Sequence, residues 1–338
     1  MRARVSRRGA VLLMAVALAF VVVAVTGCGE DEKASTNSSA VATAADGRSA
    51  DQIVKDSDAK MATVDSAAFT ADFGLKVQGD ASKMTDPTAK ALLSQGVTFE
   101  ATGRTANKPT ATDMSMSVDI AGQTLEFGMK AIGDKAWLQY QGSWYKVDGK
   151  NAKALDQQAE VGAAPTEQLK SLGIDPSGWG AEYTLTGTET LDGVQVYHIK
   201  ATADPQKLAE SLTKAAQDTD LEQKLGGAGS ELGQLSQGLT QDAKQAEDLA
   251  KSLTGATVDY WIGVDDAYMY KTQFAVTMDP SGQKDLQGVE GMSLNGAVSM
   301  SEFDQAFDVT APAGAKPFDD FMNQLFGGLL GGSGALTF

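Results

Sequence analysis

The chain has 338 residues with 44 acidic against 28 basic side chains, a formal charge of −16 that disfavours nucleic acid as a partner and an electrostatic grip on anionic lipid head groups. Its single cysteine excludes an intramolecular disulfide, so the fold has to be held by its own core. The length is ample for that, and suits one large antiparallel sheet domain better than two small ones.

The chain opens on a positive start, Arg2, Arg4, Arg7 and Arg8, followed by an almost wholly apolar run over 9–26 and small residues just before Cys28. These are the parts of a cleavable export signal. Val25-Thr26-Gly27-Cys28 resembles the lipobox of bacterial lipoprotein signals. That resemblance implies a signal peptide over 1–27, cleavage between Gly27 and Cys28, and a diacylglyceryl thioether on Cys28 that consumes its thiol. The product would be exported and lipid-anchored to the cell membrane, facing outside the cytoplasm. A plain spanning helix is the competing reading, since about 18 apolar residues reach the lower bound for crossing a bilayer. A spanning helix, however, has no need of small residues that end in a lone cysteine. Arg7-Arg8 after Ser6 hints at twin-arginine export while Ala10 and Val11 fit that pattern poorly, so the export route stays open. Loss of the leader, which holds four arginines and no acid, takes the formal charge from −16 to −20.

After Cys28, residues up to 48 are rich in charge, Ala, Ser, Thr and Asn and lack apolar periodicity, which predicts a disordered tether over 28–48. Ser49 then suits the cap of a helix whose stripe is Ala50, Ile53, Val54, Ser57, Met61 and Val64. From Ser66 the period changes to two: Phe69, Ala71, Phe73, Leu75 and Val77 alternate with polar or small residues, as a half-buried strand requires. A short helical insert including Thr88 to Ser94 separates this strand from a second at Val97, Phe99 and Ala101. Met114, Met116, Val118 and Ile120 turn at Ala121-Gly122 and return as Leu125, Phe127 and Met129, which predicts a hairpin. Two further short strands lie over 135–140 and 144–147 about Gln141-Gly142.

Helical segments are expected over about 151–174, and Asp192-Gly193 is a strong hairpin signal between strands at 183–190 and 194–202. Asp204-Pro205 starts a helical insertion over about 204–255, with leucines continuing its stripe to Leu253. Val258, Tyr260 and Ile262 return to strand period, turn at Asp265-Asp266, and lead to Phe274, Val276 and Met278; Met292, Leu294, Val298 and Met300 follow a Gly-rich interruption at 279–291. About ten strands are expected in all. Over 315–338, Phe318, Phe321, Met322, Leu325, Phe326, Leu329 and Leu330 fall at helical spacing behind Asp319 and Asp320, an amphipathic tail suited to a membrane surface, to plugging a cavity or to ordinary core packing.

An enzyme is not expected. His198 is the only histidine, lies in a strand, and has no nucleophile motif beside it. Zinc ligands are lacking, no pair of acids has calcium-loop spacing, and no glycine run follows a strand in phosphate-cradling order, so no metal or cofactor is called for. What the pattern offers is a sheet with one apolar face that needs a cover.

Four segments carry a family resemblance over 49–314: Trp144-Tyr145-Lys146-Val147, Leu191-Asp192-Gly193-Val194 running into Tyr197-His198-Ile199-Lys200-Ala201, Val258-Asp259-Tyr260-Trp261-Ile262-Gly263, and Phe307-Asp308-Val309-Thr310-Ala311-Pro312 closing the sheet. Placed behind a lipobox, they resemble LolA-like and LprG/LppX-like bacterial cell-envelope lipoproteins. The resemblance implies an α+β fold, a large curved antiparallel half-barrel of about ten strands with helices covering its concave face. It also implies a lipid, glycolipid or lipidated client held by its acyl chains in an apolar cup, for transport or presentation. Candidate lining residues are Phe73, Leu75, Phe99, Met114, Met116, Val118, Leu125, Phe127, Met129, Phe274, Val276, Met278, Met292 and Met300, with thioethers suited to varied chains. Each of these methionines also suits plain core filling. Trp137, Trp144, Trp179 and Trp261 suit a cup rim or a membrane interface, and equally cross-strand packing. The alternative function is a surface or structural lipoprotein that binds a protein partner in the envelope with no lipid cargo.

Overall fold

The computed structural model describes residues 43–84, 87–120, 122–147, 179–216, 251–280 and 288–321. The signal peptide, Gly27, Cys28, the expected helices over 151–174, most of the 204–255 insertion and most of the tail helix lie outside the described residues. Twelve strands form one curved, open α+β sheet in the order β12-β6-β5-β4-β3-β2-β1-β11-β10-β9-β8-β7. Two antiparallel meanders build it. The first runs through β1 (Ser66–Gly79), β2 (Val97–Asn107), β3 (Thr110–Ile120), β4 (Gln123–Ile132), β5 (Lys135–Tyr140) and β6 (Ser143–Val147). The second runs through β7 (Glu182–Leu191), β8 (Val194–Ala203), β9 (Leu253–Gly263), β10 (Met269–Met278) and β11 (Val289–Ser301). They are joined where β1 pairs antiparallel with β11, Phe73 opposite Gly296 and Leu75 opposite Leu294.

Twelve strands exceed the ten or so expected, and the difference lies at the ends of the count. β12 (Lys316–Pro317) is only two residues, pairs parallel with β6, and has no periodicity to announce it. Phe307 to Pro312, expected to close the sheet, adds no strand. β9 begins at Leu253 rather than Val258, so Leu253 belongs to a strand and not to a helical stripe; a register irregularity opposite Thr277 and Met278 hides the alternation there.

The hairpins follow their turn residues. Asp192 and Gly193 adopt φ of 48° and 87°, the left-handed pair a two-residue turn between twisted strands requires. Three described helices accompany the sheet: α1 (Ala50–Met61), α2 (Pro87–Gln95) and α3 (Pro205–Ala216). Ser49 caps α1, its hydroxyl accepting from the Gln52 amide at 3.2 Å, and Asp51 and Lys60 complement the helix dipole at the two ends. Asp204 caps α3 by accepting from the amides of Gln206 and Lys207 at 2.8 and 3.3 Å. Ordered packing starts ahead of Ser49: Ala44 is buried with α1, and Arg48 bridges Asp46 and Asp56 at 2.7 and 3.1 Å while lying over the Tyr197 ring.

Asp304, in the left-handed region at φ 57°, ties the end of β11 to the start of β1. Its carboxylate accepts from the Asp65 amide at 2.8 Å and from the Tyr268 hydroxyl at 2.9 Å, and those bonds, the amide first, hold it below the usual carboxylate range. A carboxyl with a lowered folded value stabilises the fold above its unfolded value, about 3.9, and that contribution fades as pH falls through the folded one. Asp304→Asn, which tolerates the same backbone but lacks the charge, should therefore melt below wild type at neutral pH. The gap should close only below about pH 4, which a series of melting curves from neutral to acid pH would read. A gap that persisted unchanged in acid would show that the charge plays no part.

Candidate functional site

Cross-strand register places all fourteen candidate lining residues on one face of the sheet. Starting from β10, Phe274 lies opposite Gly296, which lies opposite Phe73, which lies opposite Phe99 and then Val118 and Leu125. A parallel row runs Val276, Leu294, Leu75 and Val97, and another Met278, Met292 and Val77. Towards the β6 edge, Met116 faces Phe127 and Tyr140, and Met114 faces Met129 and Leu138. Met300 sits opposite Phe69, whose other neighbour is Gly103. Because side chains alternate strictly between faces, this is one continuous apolar surface.

Among the described residues, α1 and α3 cover only part of it. α1 seats Ile53 and Val54, both essentially inaccessible, on Tyr197, Ile199, Tyr260, Ile262 and Met269 of β8, β9 and β10. α3 places Leu208 and Ala209, with Trp179, on Phe274, Val276, Met278, Met292 and Leu294. Phe73 and Leu75 pack against that cluster from the side. Four of the fourteen, Phe274, Val276, Met278 and Met292, are thus ordinary core residues locked under α3. The face over β2 to β4 differs: Phe99, Met114, Met116, Val118, Phe127 and Met129 are half-buried, as are Phe73, Leu75 and Met300 on β1 and β11, and Leu125 is 37% exposed.

An aromatic row divides the two halves. The rings of Phe274 and Phe73 stand 5.9 Å apart, and those of Phe73 and Phe99 5.6 Å. Gly296 lies beneath the first pair, and a Cβ there would run into both rings. At the far edge, Phe127 stacks on Tyr140 at 5.4 Å, and the chain after β12 turns back onto the same face. Phe318 packs on Ala136 and Val147, and buried Phe321 meets Tyr140 and Tyr145 at 5.8 and 5.5 Å. These contacts belong to the tail's described start; the rest of the tail lies outside the described residues.

Leu138 and Tyr140 belong to this surface although the sequence reading did not include them. In Lys135 to Tyr140 both faces carry large apolar groups, so alternation alone does not assign them, whereas the Met129–Leu138 and Phe127–Tyr140 pairings do. Trp137, Trp144 and Trp261 lie on the opposite, polar face by the same register. There Lys130 pairs with Asp113 at 2.5 Å and lies over Trp144, and Lys271 lies over Trp261. They pack across strands, and Trp179 is core; none of the four rims the apolar surface. His198 is on the polar face too, stacked on Trp261 at 4.6 Å with Nε2 2.9 Å from Asp259 Oδ1.

Where α1 and α3 sit, their side chains interdigitate with the sheet. A cavity of about 760 Å³ opens on the polar face of β1, β2, β3 and β11, with Phe69, Gly103 and Met300 also in its lining. Among the described residues no helix is long and apolar enough to cross a membrane.

No family model and no curated protein matches the chain. Among solved structures, the chain is similar to the lipoprotein LppX of Mycobacterium tuberculosis at 12% identity, over 76% of this chain and 96% of that one with a TM-score of 0.33. It is similar to LprF from Mycobacterium bovis at 13% identity over 78% and 97% with a TM-score of 0.37. A LolA superfamily protein from Nitrosomonas europaea aligns at 8% identity over 76% and 94% with a TM-score of 0.18.

Proposed function

We propose that this is an exported lipoprotein, held at the membrane through acylated Cys28, that shelters the acyl chains of a lipid, glycolipid or lipidated client and carries out no catalysis. The observation behind this reading is the uneven cover of the apolar face among the described residues: tightly packed over β8 to β11, half-open over β2 to β4. Each methylene laid there leaves water for a gain of about 0.8 kcal/mol. Met114, Met116 and Met129, unbranched and polarisable, adapt to chains of differing shape.

Native mass spectrometry and an organic extract of the purified mature chain test the cargo. Bound lipid in stoichiometric amount is expected. A dry protein that also fails to take up fluorescent lipid would overturn the reading and favour a protein-binding module. The anchor is tested separately: Cys28→Ala should leave the fold unchanged and release the protein from membranes into the soluble fraction. Firm attachment after that substitution would locate the anchor in the leader or the tail.

A further inference from the structure

The polar face carries a cleft, bordered also by Phe69, Gly103 and Met300, whose ligand is argued apart from the acyl-binding reading. Its concavity of about 760 Å³ falls within the roughly 300–1,000 Å³ of small-ligand sites. Two cross-strand rows make the floor. In the first, Ser299 of β11, Thr70 of β1 and Thr102 of β2 lie opposite one another. In the second, one pleat along the strands, are Ser301, Ala68, Arg104 and Asp113. Three hydroxyls therefore stand side by side at the strand spacing of about 4.8 Å, a distance on the scale of a sugar ring.

The walls are of different chemistry. Leu191 and Val194 flank the Asp192-Gly193 turn on one side, and Phe307 with Asp308 stand on another, brought there by the chain that leaves β11. Tyr270 contributes its ring while its hydroxyl donates to Asp266 at 2.7 Å. Burial first, then that carboxylate, keeps the phenol protonated well above the usual range.

Electrostatics narrow the ligand. Arg104 is paired with Glu302 at 2.6 Å and Asp113 with Lys130 at 2.5 Å, so the cationic groups are already matched, and Asp192 and Asp308 add further carboxylates. An anionic ligand would meet surplus negative charge, and an aliphatic one would cover the hydroxyl floor without satisfying it. A polyhydroxylated neutral ligand does neither. Its hydroxyls donate to carboxylates and exchange bonds with serine and threonine, and its C–H face lies on an aromatic ring. We infer that this cleft binds a neutral oligosaccharide, on the side of the sheet opposite the acyl-binding face.

Calorimetric titration of the mature chain with maltotriose, cellotriose and tri-N-acetylchitotriose tests the assignment, with trigalacturonate and trilysine as controls. Binding of at least one neutral trisaccharide in the millimolar range or tighter is expected, without binding of trigalacturonate. The double variant Thr70→Val, Thr102→Val keeps side-chain shape and strand preference, so an unchanged melting temperature would certify its fold, and its affinity should drop at least about tenfold. No binding by any of the three, or equal binding by the folded double variant, would overturn the inference. Binding of trilysine alone, lost in Asp308→Asn, would also overturn it and reassign the cleft to basic peptides.

Discussion

Phe274→Ala is expected to cost about 3–5 kcal/mol of stability, the range for deleting a buried aromatic ring where the surroundings relax only in part. Phe274 is 1% exposed, with Gly296 below, Phe73 beside it and the α3 cluster above. Relaxation is restricted because the neighbours are held from three strands and a helix at once. The corresponding fall in melting temperature is roughly 10 °C. Phe127→Ala makes the comparison. Phe127 lies on the same face but is only half-buried, so less area returns to water and its loss should cost about half as much or less. Denaturant unfolding of the two variants reads the difference directly. Equal costs would mean that the β2 to β4 half is packed as tightly as the α3 half, and the acyl-binding reading would lose its footing.

That contrast was not legible in the sequence, and the reason is physical. Alternation in Phe69 to Val77 or Met114 to Ile120 says which side chains share a face, because the strand period is strictly two. It does not say what lies on that face. Met278 and Met129 read alike in sequence, yet one is 4% exposed under α3 and the other half-buried, since cover is supplied by a helix far away in the chain. The hairpins were legible because Asp192-Gly193 and Gln141-Gly142 carry their turn chemistry locally. The meeting of β1 with β11 rests on non-local pairing with no such mark, and it is this contact that turns two meanders into one surface. Arg48 hides in the same way: its neighbours in sequence look like linker, and only its reach to Asp56 and Tyr197 makes it structural. The polar-face cleft was invisible for a further reason, since serines and threonines that alternate outward read as plain solvent-facing positions until register sets three of them in a row.

The half-open surface makes its own prediction through Met116. This residue stands between Ala101 of β2 and Phe127 of β4, half-buried, with Tyr140 one strand beyond. In Met116→Glu the carboxylate has water within reach in the lipid-free protein, so the fold should survive with a loss on the order of 1 kcal/mol, as for most substitutions outside a closed core. With an acyl chain laid over it the same carboxylate would be cut off from solvent, at a cost of several kcal/mol unless it takes up a proton. Uptake of a fluorescent fatty acyl probe at neutral pH should therefore fall by at least about a hundredfold, since about 2.7 kcal/mol of lost affinity already gives that factor. Part of the binding should return towards pH 5, where burial favours the protonated acid and the penalty shrinks. Met116→Leu, of similar volume and apolar, should bind as wild type does. If Met116→Glu folds and still takes up probe normally at neutral pH, the acyl chains lie elsewhere, and the exposure of Leu125 and its neighbours on β4 needs a different occupant.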